Sequence, residues 1–187
     1  MDIIKAIEAR RSIRKFQNKV VPKDTIEKIL ELAIKAPSGK NRQPWRFIVL
    51  QGKKKDELVN LMENIAYVYR NQNTNTGSYE LTINSINESS VLILVFNPYS
   101  KIEEDYNYHR LITDTQSIGA AIQTIALAAQ NFELGTLWIC DIFYCHNEIM
   151  TWLECEDELI AAVAIGYPGE CPYSRPRNSL HEITEWI

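Results

Sequence analysis

Residues 91–96, Val-Leu-Ile-Leu-Val-Phe, constrain the fold more than any other stretch of the chain. Six apolar residues in a row, without polar alternation and closed by Asn97-Pro98, predict a strand buried on both faces. Such a strand needs partners beside it and layers above and below. Residues 45–50 supply one partner: Trp45, Phe47 and Val49 alternate with Arg46, Ile48 and Leu50, so both faces are largely covered until Gly52 ends the run. Residues 136–140 and 159–165 are two further strands by the same reading.

The remaining periodic segments are helical. Ile3, Ile4, Ala6 and Ile7 follow a capping Asp2 and form a short amphipathic helix. A second helix starts near Pro22, carries Ile26, Ile29, Leu30 and Ala33 on one face, and is stopped by Pro37. Leu58, Leu61, Met62 and Ile65 mark a third, and shorter helices are expected at 79–86 and 147–153. Residues 113–131 read as a long buried helix whose Gly119, Ala120, Ala121, Ala126, Ala128 and Ala129 let other backbones approach closely. That helix is a candidate core for a dimer, and Asp114 reads as its cap. Between these elements, Asn71 to Ser78 is an Asn-rich loop, and the Tyr- and His-containing stretch from Tyr99 to Arg110 takes no regular assignment. Four strands mixed with about six helices, without strict β-α-β alternation or a Gly-x-Gly-x-x-Gly turn, place the chain in the α+β class and disfavour a Rossmann fold.

Size and charge narrow the function. At 187 residues the chain is expected to form one domain, 1–187, with a substantial core. A net charge of −4 argues against general nucleic-acid affinity. No apolar run is long enough for a membrane span and the start does not read as a signal peptide, so a cytoplasmic protein is expected. The cysteines Cys140, Cys145, Cys155 and Cys171 contain no Cys-x-x-Cys pair and read as reduced thiols. Zinc on Cys145 and His146 is disfavoured because adjacent ligands rarely reach one metal.

Two polar segments remain, each ending a predicted helix. Arg10-Arg11-Ser12-Ile13-Arg14 sets three forked, permanently charged donors and a hydroxyl within five residues, a combination suited to a phosphate. Ala36-Pro37-Ser38-Gly39-Lys40-Asn41-Arg42-Gln43-Pro44-Trp45 offers free backbone N–H groups and side-chain amides just before a strand, suited to the edge of a heterocycle. Arg175-Pro176-Arg177 is a second place where an arginine could meet a phosphate. Gly-x-Ser-x-Gly, His-Glu-x-x-His and Walker signatures are all missing. His109, His146 and His181 read as loop or surface histidines, and Glu103-Glu104-Asp105 as a solvated charge run. Without a protein nucleophile or base, a redox cofactor carrying the chemistry is the expectation.

These segments resemble the FMN-dependent nitroreductase family over nearly the whole chain. Residues 10–16 look like its phosphate-binding start and residues 36–45 like its isoalloxazine-contacting turn. Leu134-Gly135-Thr136-Leu137-Trp138-Ile139 is similar to the strand beside the flavin ring, Ala164-Ile165-Gly166-Tyr167-Pro168 to the last sheet strand, and Arg175-Pro176-Arg177 to the second phosphate arginine. The resemblance implies a mixed or antiparallel sheet of four to five strands flanked by helices, with an extended C-terminal arm. It implies that Arg10, Ser12, Arg14 and Arg177 hold the phosphate, with Arg11 nearby, and that Leu137, Trp138 and Ile139 lie along the ring. It implies a backbone N–H near Cys140 close to flavin N5, and Pro37, Ser38, Gly39 and Asn41 supplied by the other subunit of a homodimer. Cys140 stands where the family more usually has Gly or Glu, and reads either as a small buried hydrophobe or as a thiol near the flavin. Glu133 replaces a frequent Gly. The implied activity is ping-pong transfer from NADH or NADPH to nitroaromatics, quinones or related small acceptors. A specialised member acting on one metabolite and a flavin-storage protein are the alternatives.

Overall fold

The computed structural model describes residues 2–187. Its elements are α1 (Ile3–Ala9), α2 (Lys23–Ala33), β1 (Arg46–Leu50), α3 (Lys53–Asn71), α4 (Tyr79–Glu88), β2 (Val91–Asn97), α5 (Tyr108–Asn131), β3 (Gly135–Ile139), α6 (His146–Leu153), β4 (Glu158–Gly166) and α7 (Leu180–Ile183). The four strands form one sheet in the order β1-β2-β4-β3, with every neighbouring pair antiparallel. The two most apolar strands therefore take the two central places.

The continuous apolar pattern of β2 follows from that position. Leu92, Leu94 and Phe96 face a core that includes Leu58 and Met62 of α3, Ile83 and Ile86 of α4 and Ile149 of α6. Val91, Ile93 and Val95 face the opposite core, built with Ile26 and Ile29 of α2 and Ile118, Ile122 and Ile125 of α5. A strand covered by helices on both sides has no solvated face to mark with polar residues. On β4, Ala162 and Ala164 stand opposite Leu94 and Leu92, so small side chains on one strand accommodate large ones on the next.

The expected strands and helices are found at or near their expected positions; the short α7 was not expected, and the start of the long helix differs informatively. The long helix begins at Tyr108, where Asn107 Oδ1 accepts from the N–H groups of His109 (3.0 Å) and Arg110 (3.2 Å). Asp114 lies two turns inside the helix and is no cap. α1 also differs in what it buries: only Ala6 is buried, while Ile3, Ile4 and Ile7 are exposed. Residues from Tyr167 onward form the C-terminal arm, ending in Trp186 at 93% exposure. Among the described residues no helix is long and apolar enough to cross a membrane.

Candidate functional site

The arginine segment after α1 is threaded along the outer edge of β3. Ser12 makes a parallel bridge to Thr136, Ile13 N–H donates to Thr136 O (3.0 Å), and Phe16 bridges Pro168. Ile13 and Phe16 are buried and lie against the two glycines that open β3 and close β4. A Cβ on Gly135 would stand 2.6 Å from Ile13 Cγ1, and one on Gly166 would stand 2.8 Å from Phe16 Cδ1. The absent side chains thus make the seats for the segment.

The C-terminal arm is tied back over the same segment. Glu170 Oε1 accepts from the backbone N–H groups of Arg14 (2.6 Å) and Lys15 (3.1 Å), and Gly169 N–H donates to Lys15 O (2.8 Å). That return brings Arg175 and Arg177 to Arg10, Arg11, Ser12 and Arg14 around a cavity of about 250 Å³, completed by Pro172 and Tyr173. Among the described residues none of these five arginines has an ion-pair partner. Five guanidinium groups without an ion-pair partner form a site for an external anion.

Arg14 and Arg175 also line a neighbouring cleft of about 550 Å³. Its walls are Leu137, Trp138, Ile139 and Cys140 from the end of β3, Asp141, and Ser78, Leu81, Thr82 and Ser85 of the α4 region. Trp138 is 45% exposed while Leu137 and Ile139 are buried. Cys140 is exposed, which corrects its reading as a small buried hydrophobe. Ser78 and Thr82 hydroxyls both donate to Asp141 Oδ2, at 2.6 and 2.9 Å. A pocket for a multivalent anion thus opens beside a longer slot, walled on one side by strand backbone and apolar side chains.

The turn at 37–43 is elsewhere: Pro37, Ser38, Gly39 and Asn41 line neither cavity. Lys40, Asn41 and Gln43 all have left-handed backbone, with φ of 52°, 55° and 52°. Such conformations cost energy in non-glycine residues and persist where the surroundings hold them. Ser38 Oγ accepts from Gln43 N–H (3.0 Å), and Gly39 N–H donates to Ser117 Oγ (3.3 Å). Arg42 is the main anchor. Its Nε donates to Asp114 Oδ1 (3.1 Å), and its Nη2 donates to Asp114 Oδ2 (3.2 Å) and to both oxygens of Glu103 (2.9 and 3.0 Å). These two carboxylates hold the Arg42 guanidinium pKa above its ordinary value, Asp114 contributing most. Tyr106 O–H donates to Asp114 Oδ2 (3.2 Å), and its own oxygen accepts from Asn97 Nδ2 (2.6 Å). Burial raises the pKa of that phenol.

The site expectations from sequence therefore divide. Arg10, Arg11, Ser12, Arg14 and Arg177 come together, and Leu137, Trp138, Ile139 and Cys140 line the adjoining cleft. Arg175, Ser78, Thr82 and Asp141 join them without a sequence motif that marks them as site residues, apart from the Arg-Pro-Arg triplet that contains the first. Glu103 is no part of a solvated run, since it binds Arg42 and Arg110. Among the described residues no cluster could hold a metal. Cys145 is buried, its Sγ–H donates to Ile142 O, and burial pushes its thiol up to about 11.

Comparison with known proteins points to one family. A family model described as the nitroreductase family matches residues 7–167. A candidate NADH dehydrogenase/NAD(P)H nitroreductase from Methanothermobacter thermautotrophicus is 29% identical over 180 residues, covering 94% of this chain and 82% of that protein. The iodotyrosine deiodinase of Hydra vulgaris is 34% identical over 144 residues, 68% of this chain and 53% of its own. Among solved structures, a candidate nitroreductase from Desulfovibrio desulfuricans in complex with FMN superposes with a TM-score of 0.79 at 29% identity, covering 100% of this chain and 98% of the other.

Proposed function

The chain belongs to the nitroreductase family, and we propose that it is an FMN-dependent oxidoreductase that moves electrons from NADH or NADPH to a small aromatic acceptor. The observation that carries this reading is the convergence of five arginines without an acidic partner beside a slot lined by β3. A terminal phosphate fits the first cavity, and a flat conjugated ring fits the second. When bound, FMN would supply the redox chemistry, two-electron transfer between a nicotinamide donor and a second substrate.

The protein's own residues bind and orient. Arg10, Arg14, Arg175 and Arg177 hold the phosphate with charge-assisted hydrogen bonds, with Arg11 and the Ser12 hydroxyl beside them. Leu137, Trp138 and Ile139 back the ring, and backbone N–H groups near Cys140 offer a fixed dipole for the electron density that reduction brings. Pro37, Ser38, Gly39 and Asn41 line neither cavity of their own chain and lie on a braced, strained turn. Their place in this reading is the cofactor site of a second copy, so the active form is a homodimer. The exposed isoleucines of α1 and the exposed Trp186 are apolar surface that such a dimer would cover.

The test is direct. Purified protein should be yellow or become so with FMN, bleach anaerobically with NADH or NADPH, and recover its colour on adding a nitroaromatic or a quinone. Arg14→Ala and Arg177→Ala should each weaken FMN binding by about 1.5 to 3 kcal/mol, the scale of hydrogen bonds to charged groups. Unchanged affinity in both variants would remove the site assignment. The likeness to an iodotyrosine deiodinase favours adding a halogenated phenol to the acceptor panel; turnover with that acceptor alone would replace the nitroreductase reading with reductive dehalogenation.

A further inference from the structure

Among the described part-buried acids, Asp141 and Glu170 have no ion-pair cation, and Glu170 is taken up by the backbone N–H groups of Arg14 and Lys15 outside the cleft. Asp114 and Glu103 are paired with Arg42, Glu103 and Asp105 with Arg110, and Asp157 with Arg46. Asp141 is half-buried on the wall of the cleft, and its Oδ2 accepts from two neutral hydroxyls, Ser78 and Thr82. Its Oδ1 has no donor among the described residues. The hydroxyls fix the carboxylate in place without neutralising it.

Its position along β3 matters as much as its charge. The arginine segment meets β3 at Thr136, and Asp141 follows the far end of the strand. At about 3.3 Å per residue the strand carries the chain roughly 10 Å from Thr136 to Ile139, and Asp141 lies two residues beyond. The cleft is therefore polarised, with guanidinium groups at one end and a lone carboxylate at the other. A phosphorylated ring whose phosphate sits among the arginines neutralises that end itself. The charge left facing the ring is the one on Asp141.

We propose that Asp141 is the residue that sets the reducing power of the bound flavin, holding an uncompensated negative charge at the ring end so that the reduced cofactor is a stronger electron donor. The inference rests on the FMN reading of the site. Reduction adds two electrons and one proton to the ring, a net gain of one negative charge, taken from a hydride donor or from dithionite in the test. A fixed negative charge nearby opposes that gain and leaves the oxidised form less affected. By the thermodynamic cycle, the protein then binds reduced flavin less tightly than oxidised flavin, and the midpoint potential falls by the same amount. Ser78 and Thr82 act through Asp141 and are positioning residues.

The experiment is a midpoint titration of the FMN-loaded full chain, wild type against Asp141→Asn, with Asp141→Ser as the second neutral variant in case the first does not fold. Removing the charge should raise the ratio of reduced to oxidised flavin at a given potential about tenfold, a shift of about +30 mV for two electrons. The Kd for reduced FMN should tighten more than that for oxidised FMN. Asp141→Glu and Ser78→Ala, which keep the charge, should stay near wild type. A loaded neutral variant with an unchanged or lowered potential overturns the proposal. So does a Ser78→Ala shift as large as that of Asp141→Asn, because the effect would then be one of shape. A wild-type chain that takes up no FMN overturns the cofactor reading itself, an outcome distinct from an unchanged potential.

Discussion

At Asp114 a single carboxylate ties α5 and the loop just before it to a turn far away in the chain. It is 1% exposed, and it receives Arg42 from the strained turn and Tyr106 from the loop before α5. A buried carboxylate is tolerable only when its lone pairs and charge are matched, and here both are. Asp114→Asn keeps the shape but removes the charge that Arg42 faces. We expect a loss of about 2 to 3 kcal/mol in urea unfolding, at or below the lower end of the fully buried range because the Arg42 side chain is a quarter exposed and keeps Glu103. The same variant should loosen the turn at 37–43 and make it more sensitive to limited proteolysis. None of this was legible locally: an Asp near the predicted start of a helix looks like a cap, and its partner is 72 residues away in sequence. The arginines were legible, because three cations in five residues have few structural uses. Their lack of acidic partners was not.

Among the elements, β3 and the segment docked along it decide where the proposed cofactor site lies. Strand positions were readable because apolar runs bounded by Gly, Asn and Pro survive without tertiary information. The start of α5 was missed because the acidic, Tyr-rich residues before it carry no helical periodicity, and only the Asn107 cap marks the boundary. The docking itself depends on Gly135, whose missing Cβ leaves room for Ile13. Gly135→Ala should cost about 1 to 3 kcal/mol, the usual range for overpacking a filled core. Because Ile13 lies between Ser12 and Arg14, the substitution should also weaken FMN binding, measured by fluorescence quenching of the free flavin. Normal FMN affinity in a destabilised variant would separate the seat from the site.

For the whole molecule, the arm after β4 has two roles in the proposed function. It returns Arg175 and Arg177 to the anion pocket, and it presents Tyr173, Leu180, Ile183 and Trp186 to solvent on an isolated chain. A chain ended after Gly169 keeps the sheet and both cores but loses both arginines and the apolar arm. We expect it to fold, to bind FMN at least tenfold more weakly, and to sediment at lower mass than the full chain. A truncated protein that stays dimeric would assign the dimer contacts to α1 and α5 instead. The sequence by itself determined the α+β class, the two central strands and the arginine cluster, because hydrophobic period and local charge density are properties of neighbouring residues. Only the tertiary structure decided that Arg175 joins the cluster, that the turn at 37–43 stands apart from it, and that Asp141 faces the slot without a cation. Those outcomes depend on which side chains meet across tens of residues, and pairing at that range is set by how the layers pack.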